Sequence, residues 1–114
     1  MTIRIQNIYL ASATASQDAL FYREALGLEV RFADEDHWIQ MSADGAKFAL
    51  AGPRESAVEK GFVVVFEVAD IEAAAEAVVQ AGGAIIARRD MGDHGVTVTA
   101  SDPSGNVIQL FRRA

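Results

Sequence analysis

The order of apolar, polar and turn-forming segments in this chain occurs twice, and that repetition limits the folds open to it. Residues 3–11, IRIQNIYLA, read as a strand, with Arg4 and Gln6 alternating against Ile3 and Ile5. A helix opens at Ser16-Gln17-Asp18 and stops at Gly27, as helices do at a glycine. LEVRFAD and HWIQMSA are the next strands, Ala43-Asp44-Gly45 is a hairpin turn, and KFALA is a short strand after it. Pro53-Arg54-Glu55-Ser56 is the best linker between two halves. The series then starts again. GFVVVFEV, 61–68, is a strand. Asp70 caps a helix over 71–81, with Glu72 and Glu76 in its early turns, and Gly82-Gly83 stops it. AIIARRD, a loop at MGDHG, VTVTAS, the turn Asp102-Pro103-Ser104-Gly105-Asn106 and NVIQLFRR follow.

The order β-α-β-β-β is thus present twice, an internal repeat. A shift of 56 residues places Asn7 on Val63 and Gly27 on Gly83, and a shift of 60 places Phe48-Ala49-Leu50 on Ile108-Gln109-Leu110. The expected fold class is α+β, with two βαβββ repeats over about 1–52 and 60–114. They form paired curved mixed sheets around a concave pocket, with the helices on the outer face. The length suits a single domain over 1–114.

Composition removes several functions. There is no cysteine, so disulfides, thiolate metal sites and cysteine nucleophiles are excluded. A net charge of −6 opposes phosphate binding, and the basic pairs Arg88-Arg89 and Arg112-Arg113 are scattered, so no nucleic-acid partner is expected. MTIRIQNIYL lacks the basic and long apolar regions of a signal peptide, and no segment nears the roughly 20 apolar residues of a membrane span. The expectation is a cytoplasmic protein with no membrane partner.

Alternation along the strands sorts the side chains. Phe62, Val64 and Phe66 suit the helix side, so Val63, Val65 and Glu67 face the other way. On the last strand Ile108 and Leu110 go with the helix, leaving Val107, Gln109 and Phe111. By the same reasoning Ile8, Leu10, Phe48 and Leu50 lie under the first helix, while Asn7, Tyr9 and Ala49 look into the concavity. Trp38 and Gln40 share one face, and which one depends on hairpin register. Phe32 reads more readily as core than as a ligand contact.

Three stretches, ALFYREALGLEV, FVVVFEVADIEAA and DPSGNVIQLF, together with the repeat, give the chain a resemblance to the vicinal-oxygen-chelate superfamily. That group includes glyoxalase I, bleomycin-resistance proteins, fosfomycin-resistance enzymes and extradiol dioxygenases. The resemblance implies a pocket that in the metalloenzymes holds a divalent ion, with two ligands from each half. The matching positions here are Asn7, Ala49, Val63 and Gln109. Alanine and valine have no donor atoms, and neutral amides are poor ligands for a transition metal. Neither His37 nor His94 falls on a ligand position. No metal and no other cofactor is expected.

The expected function is a metal-free small-molecule-binding protein of the bleomycin-resistance type, sequestering a planar hydrophobic or cationic compound such as an antibiotic. Its ligand-binding residues would be Asn7, Tyr9, Trp38, Gln40, Val63, Gln109 and Phe111. The resemblance further implies a homodimer. Two other functions stay open. One is a lyase, isomerase or dioxygenase with an atypical metal site or acid–base catalysis, for which His94 and Glu67 are the weak catalytic candidates. The other is a structural or regulatory domain with a vestigial pocket.

Overall fold

The computed structural model describes residues 3–114. The start of the first repeat, at residues 1 and 2, lies outside the described residues. The elements are β1 (Arg4–Ala11), α1 (Ala15–Leu26), β2 (Glu29–Asp34), β3 (Trp38–Ala43), β4 (Ala46–Ala51), β5 (Phe62–Glu67), α2 (Ile71–Gln80), β6 (Ala84–Asp90), a 3-10 turn at Gly92–His94, β7 (Val96–Ser101) and β8 (Val107–Arg112). This is βαβββ twice, in an eight-stranded mixed sheet of order β2-β3-β4-β1-β5-β8-β7-β6. β1 runs parallel to β4 and β5 parallel to β8, while β2–β3, β3–β4, β6–β7 and β7–β8 are antiparallel.

The contacts divide the chain into two compact units. Unit 2 is Asn7–Val63, and unit 1 is Val64–Ala114 together with the residues up to Gln6. This division by contacts falls inside β1 and β5, whereas in chain order Pro53–Ser56 lies between β4 and β5, where one βαβββ repeat gives way to the next. Those four residues form a turn within unit 2, closed by the Glu55 and Ser56 amides donating to the Gly52 carbonyl.

In unit 2 the core lies between α1 and one sheet face. Ala15 and Ala19 pack on Ile39, Met41 and Leu50, with Leu10, Tyr22, Leu28 and Phe48 around them. The alanines are small enough to bring the helix close to the strands. The full burial of Met41 and Leu50 contributes roughly 1.5–3 kcal/mol each. Gly27 ends α1 in the left-handed conformation, φ 73°, and its amide caps the Arg23 carbonyl.

The start of α1 differs from the sequence expectation. The helix begins at Ala15, and Thr14 at the cap position makes no side-chain bond. Ser12 Oγ instead accepts from the Thr14 amide and donates to Asp18. The Ser16 amide donates to Asp36 Oδ1 at 3.0 Å, so the helix entry is tied to the β2–β3 turn.

Unit 1 repeats the plan with a more apolar helix. Ile71 and Ala75 pack on Val68, Val98 and Leu110, flanked by Phe66, Val78, Ile85 and Val96. Asp70 caps α2 as expected, accepting from the Ala73 amide at 3.0 Å. The DPSGN segment is turn chemistry. The Asp102 carboxylate accepts from the Ser104 and Asn106 amides and from Asn106 Nδ2, and Gly105 takes φ 87°.

Each unit carries one irregularity at its outer strand. The register of β2 on β3 shifts between Val30 and Phe32, and that of β6 on β7 shifts between Ile85 and Ala87.

Candidate functional site

Cross-strand partners share a face, so the registers settle which residues meet. In unit 2, Tyr9 is opposite Ala49, Ala49 is opposite Gln40, and Gln40 is opposite Phe32. Trp38 is opposite Ala51 in the neighbouring row. These residues alternate with Ile8, Leu10, Phe48, Leu50, Ile39 and Met41 on the helix side. The register therefore places Trp38 and Gln40 on the face away from α1, together with Asn7, Tyr9 and Ala49.

The geometry of this face is specific. The Tyr9 and Trp38 rings meet edge to face, with centroids 5.3 Å apart and planes at 66°. Tyr9 is buried, and its hydroxyl accepts from the Ala57 amide at 3.1 Å, tying the β4–β5 connection to β1. Burial raises the phenol pKa, the Ala57 hydrogen bond opposes this, and the Glu55 charge adds to the rise. Tyr9 is thus a neutral phenol at neutral pH. The Trp38 indole donates to Gln40 Oε1 at 3.3 Å, and Gln40 Nε2 donates to the Phe48 carbonyl at 3.2 Å. Trp38 and Gln40 are half-buried. The result is an aromatic edge and an oriented amide beside a floor of alanine.

In unit 1, Gln109 is opposite Val65 and Thr99, and Phe111 is opposite Glu67 and Thr97. Gln109, Phe111, Val65 and Glu67 therefore lie on the face away from α2. Gln109 Nε2 donates to Thr99 Oγ1 at 3.0 Å, a cross-strand partner that only the β7–β8 register reveals. Val63 closes unit 2 at its boundary and is fully buried.

The expected ligand set for a divalent ion does not suit one. Ala49 and Val63 are buried and have no donor atom, and Asn7 and Gln109 offer neutral amides. No group of three His, Cys, Asp or Glu side chains able to hold a metal exists among the described residues.

The two weak acid–base candidates have separate surroundings. Glu67 accepts from Arg4 at 3.0 Å and Arg113 at 3.3 Å. The Arg4 hydrogen bond is the main reason its carboxyl sits below the usual range, with Arg113 adding to it. A carboxylate so stabilised is a weak base. His94 ends the 3-10 turn, which is closed by the Met91 amide donating to the Gly95 carbonyl and the Gly95 amide donating to that of Gly92. Gly95 presses on β8: a methyl group there would lie 2.3 Å from the Arg112 carbonyl oxygen and 2.8 Å from the Phe111 ring. The turn is therefore seated on β8. A surface depression of ≈ 520 Å³ at the C-terminal end of α1, lined by Leu26, Leu28, Arg31 and Asp44 among others, contains none of the expected site residues.

Two βαβββ units, each with one face under its helix and the other carrying aromatic and amide groups, define a protein of the vicinal-oxygen-chelate superfamily. More narrowly, the chain belongs to the glyoxalase-like domain family, whose model matches residues 7–111. An uncharacterized protein of Mycolicibacterium smegmatis is 28% identical over 107 residues, covering 94% of this chain and 91% of the relative. A glyoxalase/bleomycin resistance protein/dioxygenase superfamily member from Vibrio splendidus superposes with a TM-score of 0.73 at 19% identity, over 97% of this chain and 99% of that one. Methylmalonyl-CoA epimerase from Mycobacterium tuberculosis gives 0.72 at 16% identity, over 96% and 87%. These structural likenesses establish the fold.

Proposed function

We propose that the protein is a metal-free binder of a small, planar, partly apolar molecule, held on the unit 2 face opposite α1. The observation that carries this reading is the Trp38–Gln40 pair: a half-buried indole and an oriented amide, side by side above Ala49. Small-molecule sites are mostly apolar with a few placed polar groups, and this face has that composition. Donorless side chains at positions 49 and 63 support the absence of a catalytic metal. The net charge of −6 favours a cationic ligand over an anionic one. Sequestration of an antibiotic is one use of such a site, and a homodimer belongs to the same proposal.

Three measurements test it. Elemental analysis of the purified protein should find divalent metal well below one per chain, and stoichiometric iron, zinc, nickel or manganese would return the protein to the metalloenzymes of its superfamily. Titration with planar aromatic compounds should quench Trp38 fluorescence in a saturable way, and Trp38→Phe should remove the signal. A broad set of planar compounds that leaves the emission unchanged would refute the binding reading. Sedimentation equilibrium should give twice the monomer mass, and a monomer would remove the dimer from the proposal.

A further inference from the structure

Phe32 occupies a position that alternation alone assigns elsewhere. Val30 is opposite Met41, on the helix side of unit 2. Regular pairing would put residue 31 opposite Gln40 and return Phe32 to the helix side, opposite Ile39. The register shift between Val30 and Phe32 inserts one extra residue, so Phe32 itself stands opposite Gln40. β-Bulges re-aim side chains in this way and recur beside functional sites. The turned ring gains no burial from it: Phe32 is 59% exposed. At that exposure its packing against the rest of the face is only partial.

The neighbour it is brought to is chemically specific. A glutamine amide has two N–H donors and an oxygen with two lone pairs. In Gln40 one donor is used by the Phe48 carbonyl and one lone pair by the Trp38 indole. Those two bonds fix which end of the amide is nitrogen and which is oxygen. One donor and one acceptor of the planar amide remain. Such an amide edge matches a ring edge with a neighbouring acceptor and donor, the pairing amide side chains make with purine edges.

We infer that this face selects a planar heteroaromatic ligand with a lactam-type edge, its N–H and C=O paired to Gln40, and that Phe32, the cross-strand partner of Gln40, forms an aromatic wall of that site. This rests on the binding reading above and names the ligand class for the same site. Pre-orientation of the amide by Trp38 and Phe48 reduces the ordering cost on binding, which favours a two-point contact over a single hydrogen bond.

The experiment compares quinolin-2-one with its N-methyl derivative, read by Trp38 fluorescence. Methylation removes the ring N–H and leaves the shape nearly unchanged. The native protein should bind quinolin-2-one about tenfold more tightly, the scale of one hydrogen bond. Phe32→Ala, at an exposed site where the fold should tolerate it, should weaken both compounds several-fold, about what loss of one aromatic contact removes. Gln40→Glu keeps the acceptor for the ring N–H but loses the donor to the ring C=O, so it should weaken both compounds and retain the preference, whereas Gln40→Leu removes the acceptor and should abolish it. Equal binding of both compounds by the native protein, or unchanged binding in Phe32→Ala, overturns the inference while leaving the planar-ligand reading intact. If neither compound nor any other planar molecule changes the fluorescence, both fall together.

Discussion

Tyr9 joins the site to the stability of unit 2, and its two parts can be separated by substitution. The ring is 1% exposed and meets Trp38 at 5.3 Å, whereas the hydroxyl reaches the Ala57 amide at 3.1 Å. Tyr9→Phe keeps the ring and removes the oxygen. Ala57 is itself exposed, so water can replace the lost acceptor, and the cost should sit near the net value of a hydrogen bond, about 0.5–1.5 kcal/mol. Tyr9→Ala removes the ring as well and opens a cavity, for which truncation of a buried aromatic costs about 3–5 kcal/mol. Urea denaturation followed by far-ultraviolet circular dichroism gives both values, and hydrogen exchange at the Ala57 amide shows where the first acts. Faster exchange at Ala57 with little change in the strand amides is the expected pattern for Tyr9→Phe. The reasoning is refuted if Tyr9→Phe costs as much as Tyr9→Ala, because the hydroxyl would then support far more than the β4–β5 connection.

Gly95→Ala should destabilise by about 2–5 kcal/mol in the same assay, since φ 97° strains an alanine and its methyl group would meet the Arg112 carbonyl; a neutral substitution would mean that the turn is not seated on β8. Asp102 gives a pH dependence. Its folded carboxyl is lowered chiefly by the Asn106 side chain and then by backbone amides of the turn, so its contribution is present above the ordinary carboxylate value of about 4 and lost as pH falls through the lower folded value. Asp102→Ala should therefore flatten the stability profile below about pH 4, and an unchanged acid limb would refute the assignment. In unit 1, Thr99→Val should remove the bond from Gln109 Nε2 to the Thr99 hydroxyl and cost about 1 kcal/mol, with Gln109→Leu restoring part of it in the double variant; strictly additive losses would show that the bond contributes nothing.

The facing of β1, β4, β5 and β8 was readable from alternation, because Leu10, Leu50, Phe66 and Leu110 each belong under a helix and their neighbours must turn away. The helix stop at Gly27 and the cap at Asp70 were readable for local reasons, since each needs only its own few residues. Pairings that depend on register were not. Gln109 meets Thr99, and Gln40 meets both Trp38 and Phe48, only once β7–β8 and β3–β4 are aligned. Phe32 is the sharpest case. Its spacing from Leu28 and Val30 is that of a core residue, and a single inserted position reverses its direction. α1 starts at Ala15, one residue before the opening expected at Ser16, and the Asp36 carboxylate that receives the Ser16 amide comes from a turn too distant for local sequence to reveal.

The irregular pairings at β2 and β6 bear on what the protein does at high concentration. Both strands stand last in the ladder, where free backbone groups invite an incoming chain. An extra residue in each interrupts the straight run of donors and acceptors that such an intruder would need, and β2 also bears alternating charge at Glu29, Arg31 and Asp34. Trimming either insertion should therefore lower solubility before it alters folding.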